Sequence, residues 1–151
     1  MYIEDFIKIT TNPKAIDELK IEMIGLLSHM RLGDVWADYL QPTFMDFLIK
    51  NIRTKTKEED LVLETLGLVS NLCASKKSCS VIASSKLLTL LPEIMDEKQE
   101  DDEFVLQILY IFWKMFTYEL GIKFILSNMK TISFCIDLIE DTNKKITTLT
   151  N

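Results

Sequence analysis

At 151 residues, with 48% apolar and 26% charged side chains, the chain has the make-up of one globular domain, which excludes a disordered tail and a collagen-like fibre. Four glycines and three prolines are too few to turn the many short strands of a β-sandwich or barrel, so an all-α fold is expected. Seventeen basic against twenty-three acidic residues leave a net charge of -6, the wrong sign for gripping nucleic acid or an anionic membrane.

From the N-terminus, MYIEDFIKIT carries acids where a secretory signal carries bases and lacks an uninterrupted apolar core, so the expected setting is the cytosol. Residues Tyr2 to Ile9 read as the closing helix of a preceding unit. Asn12-Pro13 suits a helix N-cap followed by proline at the first helical position. The long helix predicted behind it holds IEMIGLLSHM from Ile21, and the short apolar segment FMDFLI from Phe44 closes that unit. Glu58-Glu59-Asp60 put carboxylates ahead of a second long helix, where the macrodipole favours them, and LETLGLVSNL follows from Leu63. LLTLLPEIM from Leu87 closes the second unit. The acidic run Asp96 to Glu103 lacks the central glycine and alternating acids of a calcium loop, so it reads as a solvated loop leading to a helix start. Phe104 to Phe116, with Gln107 and Lys114 inside it, is too short and too broken for a bilayer span and reads as a buried helix. ISFCIDLI from Ile132 closes the third unit, and the chain stops at ITTLTN, where a fourth long helix would begin.

Set against itself, the chain repeats. The stretches from Ile21, Leu63 and Leu106 superpose without a gap, giving the columns Ile21/Leu63/Leu106, Ile24/Leu66/Leu109, Leu27/Val69/Phe112 and Met30/Leu72/Met115. The offset is 42 to 43 residues and holds downstream at Tyr39/Val81/Phe124 and Leu40/Ile82/Ile125. Three helical segments in such a period belong to the armadillo and HEAT class of α-solenoids. The expected architecture is a single domain over 1–151, an armadillo-type α-solenoid of about three repeats (12–57, 58–99 and 100–143) with partial units at both ends. Leu63, Leu66, Val69 and Leu72 step by three, which turns the apolar stripe about 180° around the helix and demands packing on two sides. No polar capping repeat is visible, so either the chain is a piece of a longer one or a partner covers its ends.

The blocks EEDLVLETLGLVSNL (Glu58 to Leu72), QEDDEFVLQILYIFWKM (Gln99 to Met115) and FCIDLIEDTNKKI (Phe134 to Ile146) closely resemble the late armadillo repeats of the kinesin-associated protein family, the non-motor subunits of heterotrimeric kinesin. The resemblance is good from about 58 to 146 and weaker from 12 to 57. It implies stacked armadillo repeats, no catalysis, and attachment to motor-subunit tails and cargo on ciliary and cytoplasmic microtubules. Members of that family are several times longer, which leaves open a short relative acting as a fixed structural block in an axonemal or other microtubule-associated assembly. Localisation on the cytoskeleton, the cilium included, follows from the same resemblance.

Chemistry-bearing residues are few. One histidine cannot build a zinc site or a triad, and no phosphate loop, GxSxG or paired-carboxylate pattern is present, so no enzyme, cofactor, metal or small-molecule substrate is expected. Cys73, Cys79 and Cys135, an odd number, read as reduced apolar residues. The candidate protein-binding face is a ladder along the three long helices: Glu22, Gly25 and His29, then Glu64, Gly67 and Asn71, then Gln107, Tyr110 and Lys114. GLVSNLC (Gly67 to Cys73) resembles the armadillo motif in which an asparagine amide grips peptide backbone, for which an amide has both a donor and an acceptor. A structural hydrogen bond inside the solenoid is the other reading of Asn71. Nuclear-import receptors carry tryptophan where this chain has Gly25, Gly67 and Tyr110, which argues against an import receptor. The aromatic group Tyr110, Phe112, Trp113 and Phe116 reads as mostly core by the repeat register, with Tyr110 and Trp113 as candidates to reach a surface and anchor a partner. With Glu22 and Glu64 on the face, a partner segment of some basic character is expected.

Overall fold

The computed structural model describes residues 2–53, 58–128 and 131–140, and all regular structure among them is helical. The order is α1 (Ile3–Thr10), α2 (Asp17–Ser28), a 3-10 turn (Gly33–Val35), α3 (Trp36–Tyr39), α4 (Pro42–Arg53), α5 (Glu59–Leu72), α6 (Lys76–Ala83), α7 (Leu87–Glu97), α8 (Asp102–Met115) and α9 (Glu119–Ser127). Residues 131–140 form a further helical run. The chain is thus all-helical and compatible with an α-solenoid. The expected fourth helix start, ITTLTN, lies outside the described residues.

The long helices α2, α5 and α8 pack side by side, the short ones α3, α6 and α9 form a second row, and α4 and α7 a third. In the middle of this array α5 is buried around most of its circumference by Leu61, Val62, Thr65, Leu66, Leu68, Val69, Ser70 and Leu72. Two-sided packing explains its rotating stripe: one side meets α2, the other α8, and α4 covers the back. The aligned columns are largely core, since Leu27, Val69 and Phe112 are buried together, as are Leu40, Ile82 and Ile125. The departure is Leu106, 65% exposed where the repeat puts it in register with half-buried Ile21 and Leu63. Among the described residues, α8 has a long-helix neighbour on its α5 side only.

Helix starts follow the expected chemistry at two of three positions. Asp101 caps α8, its carboxylate accepting the Glu103 and Phe104 backbone N–H groups, and Glu59 and Asp60 occupy the first turn of α5. The Asn12-Pro13 start is corrected by the structure. Asn12 Oδ1 accepts the Lys14 N–H at 2.9 Å, closing a local turn in which the side chain spends its acceptor, and α2 begins four residues later at Asp17 behind extended Ile16.

Neighbouring tiers are stitched by polar bonds at nearly the repeat period. Asn71 Nδ2 donates to Met30 O at 2.9 Å, the Tyr118 hydroxyl to Ala74 O at 2.8 Å, and the Lys77 N–H to Asp34 Oδ1 at 3.3 Å. Two of these satisfy carbonyls left over just past the C-termini of α2 and α5, which have no partner within their own helix. Buried Asn51 reaches from α4 to Thr65 on α5 at 3.4 Å.

Candidate protein-binding groove

Where the C-terminal ends of α2 and α5 meet α8, the molecule has an open groove of about 520 Å³. It is lined by Ser28, His29, Arg31, Gly33, Gly67, Ser70, Asn71, Ala74, Ser75, Tyr110 and Lys114. Four of the seven predicted ladder residues, His29, Asn71, Tyr110 and Lys114, therefore meet in one place. Equal phase on three parallel stacked helices brings this about.

His29, Asn71 and Lys114 are each held by defined contacts. His29 Nδ1–H donates to Gly25 O at 2.7 Å, folding the ring back along its own helix while leaving it exposed. Asn71 spends its amide N–H on Met30 O, an acceptor shared with buried Trp36, whose Nε1 lies 3.1 Å away. The structural bond foreseen as one reading of Asn71 is thus present, with the side chain still on the groove wall. Lys114 holds its ammonium 4.9 Å above the Tyr110 ring and 4.6 Å above the Trp113 ring, whose centroids are 5.3 Å apart. Tyr110 and Trp113 are 45% and 61% exposed and Phe116 is exposed too, so of this aromatic group only Phe112 is core. This corrects the register reading and follows from α8 having a long-helix neighbour on one side only among the described residues. Gly67 forms open floor, for a Cβ added there would have no neighbour within 4 Å.

The other three ladder residues lie elsewhere. Glu64 reaches toward the preceding helix, where a Cβ added at Gly25 would lie 3.2 Å from its Oε2, so the missing side chain of Gly25 leaves room for that carboxylate. Glu22 is exposed and Gln107 half-buried, and neither these nor Glu64 lines the groove. Arg31 does line it, and sequence reasoning missed it because its column, Arg31/Cys73/Phe116, shares no residue type. The charge in the groove is consequently the reverse of the one expected from Glu22 and Glu64: Arg31 and Lys114 line it, and no carboxylate does.

Other reactive groups are occupied by packing. Cys73 and Cys79 are free, buried thiols in hydrogen-bonding contact, which, with burial, holds the Cys73 thiol well above its usual range; the same contact lowers Cys79. Cys135 is free and half-buried, its thiol pushed up by desolvation. Among the described residues no group of three His, Cys, Asp or Glu side chains could hold a metal ion, and no single helix is long and apolar enough to cross a membrane.

Comparison with known proteins fixes the family. The model of the family described as Kinesin-associated protein (KAP) matches residues 1–151, the whole sequence. The chain belongs to the kinesin-associated protein family. No solved structure matches it. Membership makes it a kinesin-associated adaptor of a generally non-catalytic family, with kinesin subunits as the kind of protein partner and the cytoplasmic cytoskeleton as its setting.

Proposed function

We propose that this chain is a non-catalytic interaction scaffold, an armadillo solenoid that links kinesin motor subunits or cargo in microtubule-based transport, that of cilia included. Each tier is read as one armadillo unit, giving about three repeats over 12–57, 58–99 and 100–143, with α1 closing a unit before the first. The family match over 1–151 carries the proposal, and the parallel rows of helices support it. Segments of the partner are taken by the ladder Glu22, His29, Glu64, Asn71, Gln107, Tyr110 and Lys114, of which four share the groove.

The second reading, a fixed structural block in an axonemal or other microtubule-associated assembly, is favoured by the apolar side chains left exposed on both outer tiers, Leu19 and Leu26 on α2 and Leu106 and Trp113 on α8. Fractionation separates the two. An adaptor is solubilised together with a motor heterodimer, whereas a structural block stays with salt-washed axonemes. The ladder is tested with Glu64→Ala and Asn71→Ala, measured by calorimetry against the purified motor heterodimer beside melting curves. Weakened binding with Glu64→Ala, whose side chain makes no hydrogen bond among the described residues, places the contact on the ladder. Asn71→Ala also loses the Met30 bond, so about 0.5–1.5 kcal/mol of its effect belongs to folding. Unchanged affinity in both moves the interface to the convex face or the ends.

A further inference from the structure

In a chain of net charge -6, the one groove that gathers the ladder is lined by basic groups and neutral hydrogen-bonding groups only. Asp34, next in sequence to the lining Gly33, is engaged by the Lys77 N–H, and Glu64, one turn before Gly67 on α5, reaches toward Gly25. Arg31 and Lys114 pair with no carboxylate among the described residues, whereas Ser28, Ser75 and Asn71 on the same lining already spend their side chains on Gly25 O, Ser78 and Met30 O. A cation beyond a helix C-terminus is stabilised by the carbonyl end of the helix, which accounts for a basic residue near such a site. It does not account for two cations lining one groove from different parts of the fold, Arg31 in the connection after α2 and Lys114 on α8.

Lys114 is, moreover, held in place. Stacked over two rings, its ammonium gives up much less conformational freedom on meeting an anion than a freely rotating lysine does. Arg31 supplies the planar fork that matches a carboxylate. Beside Lys114, the exposed Tyr110 and Trp113 rings offer apolar area, with Tyr110 on the groove lining itself.

We infer that this groove takes an acidic, extended peptide segment, whose aspartate or glutamate carboxylates dock between Arg31 and Lys114 over Gly67. The inference rests on the adaptor reading and states the chemistry of the segment that the groove accepts. The opposite end of the ladder, with Glu22 and Glu64, then fits basic residues flanking the acidic ones, which orients the segment along the long helices. The acidic character belongs to the segment's own side chains and needs no phosphorylation.

The test uses the full 151-residue chain and fluorescent peptides of about twelve residues, measured by anisotropy. The first repeats Glu-Ala-Ser-Glu, and three others of the same length replace its glutamates with glutamine, with lysine, or with glutamine together with phosphoserine in place of serine. The glutamate peptide is expected to bind in low salt, to weaken as salt rises, and to exceed the glutamine and lysine peptides at least tenfold. Arg31→Glu and Lys114→Glu are each expected to remove that preference, with Arg31→Lys retaining part of it. Gly67→Trp, which fills the open floor, is expected to abolish binding at a melting temperature no lower than the parent's. Preference for the lysine or the phosphoserine peptide, or indifference to both charge reversals, overturns the acidic-segment inference. Loss on charge reversal but not with Gly67→Trp places the site outside the groove and also overturns it. Co-purification of the motor heterodimer with the Arg31→Glu variant reports on the adaptor reading separately, because a motor held through other surfaces survives that change.

Discussion

Gly121 on α9 is packed so tightly against the end of α8 that a Cβ built on it would lie 2.3 Å from Met115 O and 2.7 Å from Met115 Cβ. Because the nearest obstacle is backbone, no rotamer change relieves it, and Gly121→Ala is expected to cost about 1–3 kcal/mol in urea melts by prying the two helices apart. Gly67 provides the contrast. It sits inside a helix with open space around its Cα, so Gly67→Ala is expected to gain about 0.5–1 kcal/mol from helix propensity alone. Nothing in the sequence separates these two glycines; the distance to the neighbouring helix does. The thiols behave likewise as a matter of surroundings. Iodoacetamide under native conditions is expected to label Cys135 slowly and to spare Cys73 and Cys79 until the chain unfolds, as mass spectrometry of the labelled peptides would report. Rapid native labelling at Cys73 would mean that the end of α5 opens far more readily than its packing indicates.

At the level of helices, the repeat register predicted Leu66 between neighbouring tiers, and it is fully buried. Leu66→Ala is expected to cost about 2–5 kcal/mol in denaturant melts, as other core leucine truncations do, and a loss below about 1 kcal/mol would contradict the packing of α5 between α2 and α8. Leu106, the counterpart of Leu63 on the last long helix, is largely exposed, so Leu106→Glu is expected to stay within about 0.5 kcal/mol of the parent chain. Helix existence was legible from apolar spacing, and the start of α8 from the acid that caps it. The start of α2 was not. An asparagine followed by proline serves a helix cap and a tight turn equally well, and in this chain the Asn12 oxygen closes on Lys14 before any helical turn has formed.

Across the whole molecule, a period of 42 to 43 residues forces equivalent helices into rows, because each tier buries its apolar stripe only against the next. The all-helical fold and most buried columns follow from that pattern, since periodic hydrophobicity is a local property of the chain, whereas the family was legible from the resemblance of particular blocks such as Gln99 to Met115. So does the convergence of His29, Asn71, Tyr110 and Lys114, which share one phase on stacked helices. The charge of the groove does not follow from it. Glu22 and Glu64 are conspicuous in the aligned ladder, yet Glu64 turns toward Gly25 while Arg31, in a column without any shared residue type, enters the groove from beyond α2. Loop paths and side-chain directions are settled by which neighbours leave room, and that depends on residues some 40 positions away. The sign of the groove's charge was therefore decided by tertiary packing, and the repeated helical frame that displays it by the order of the residues alone.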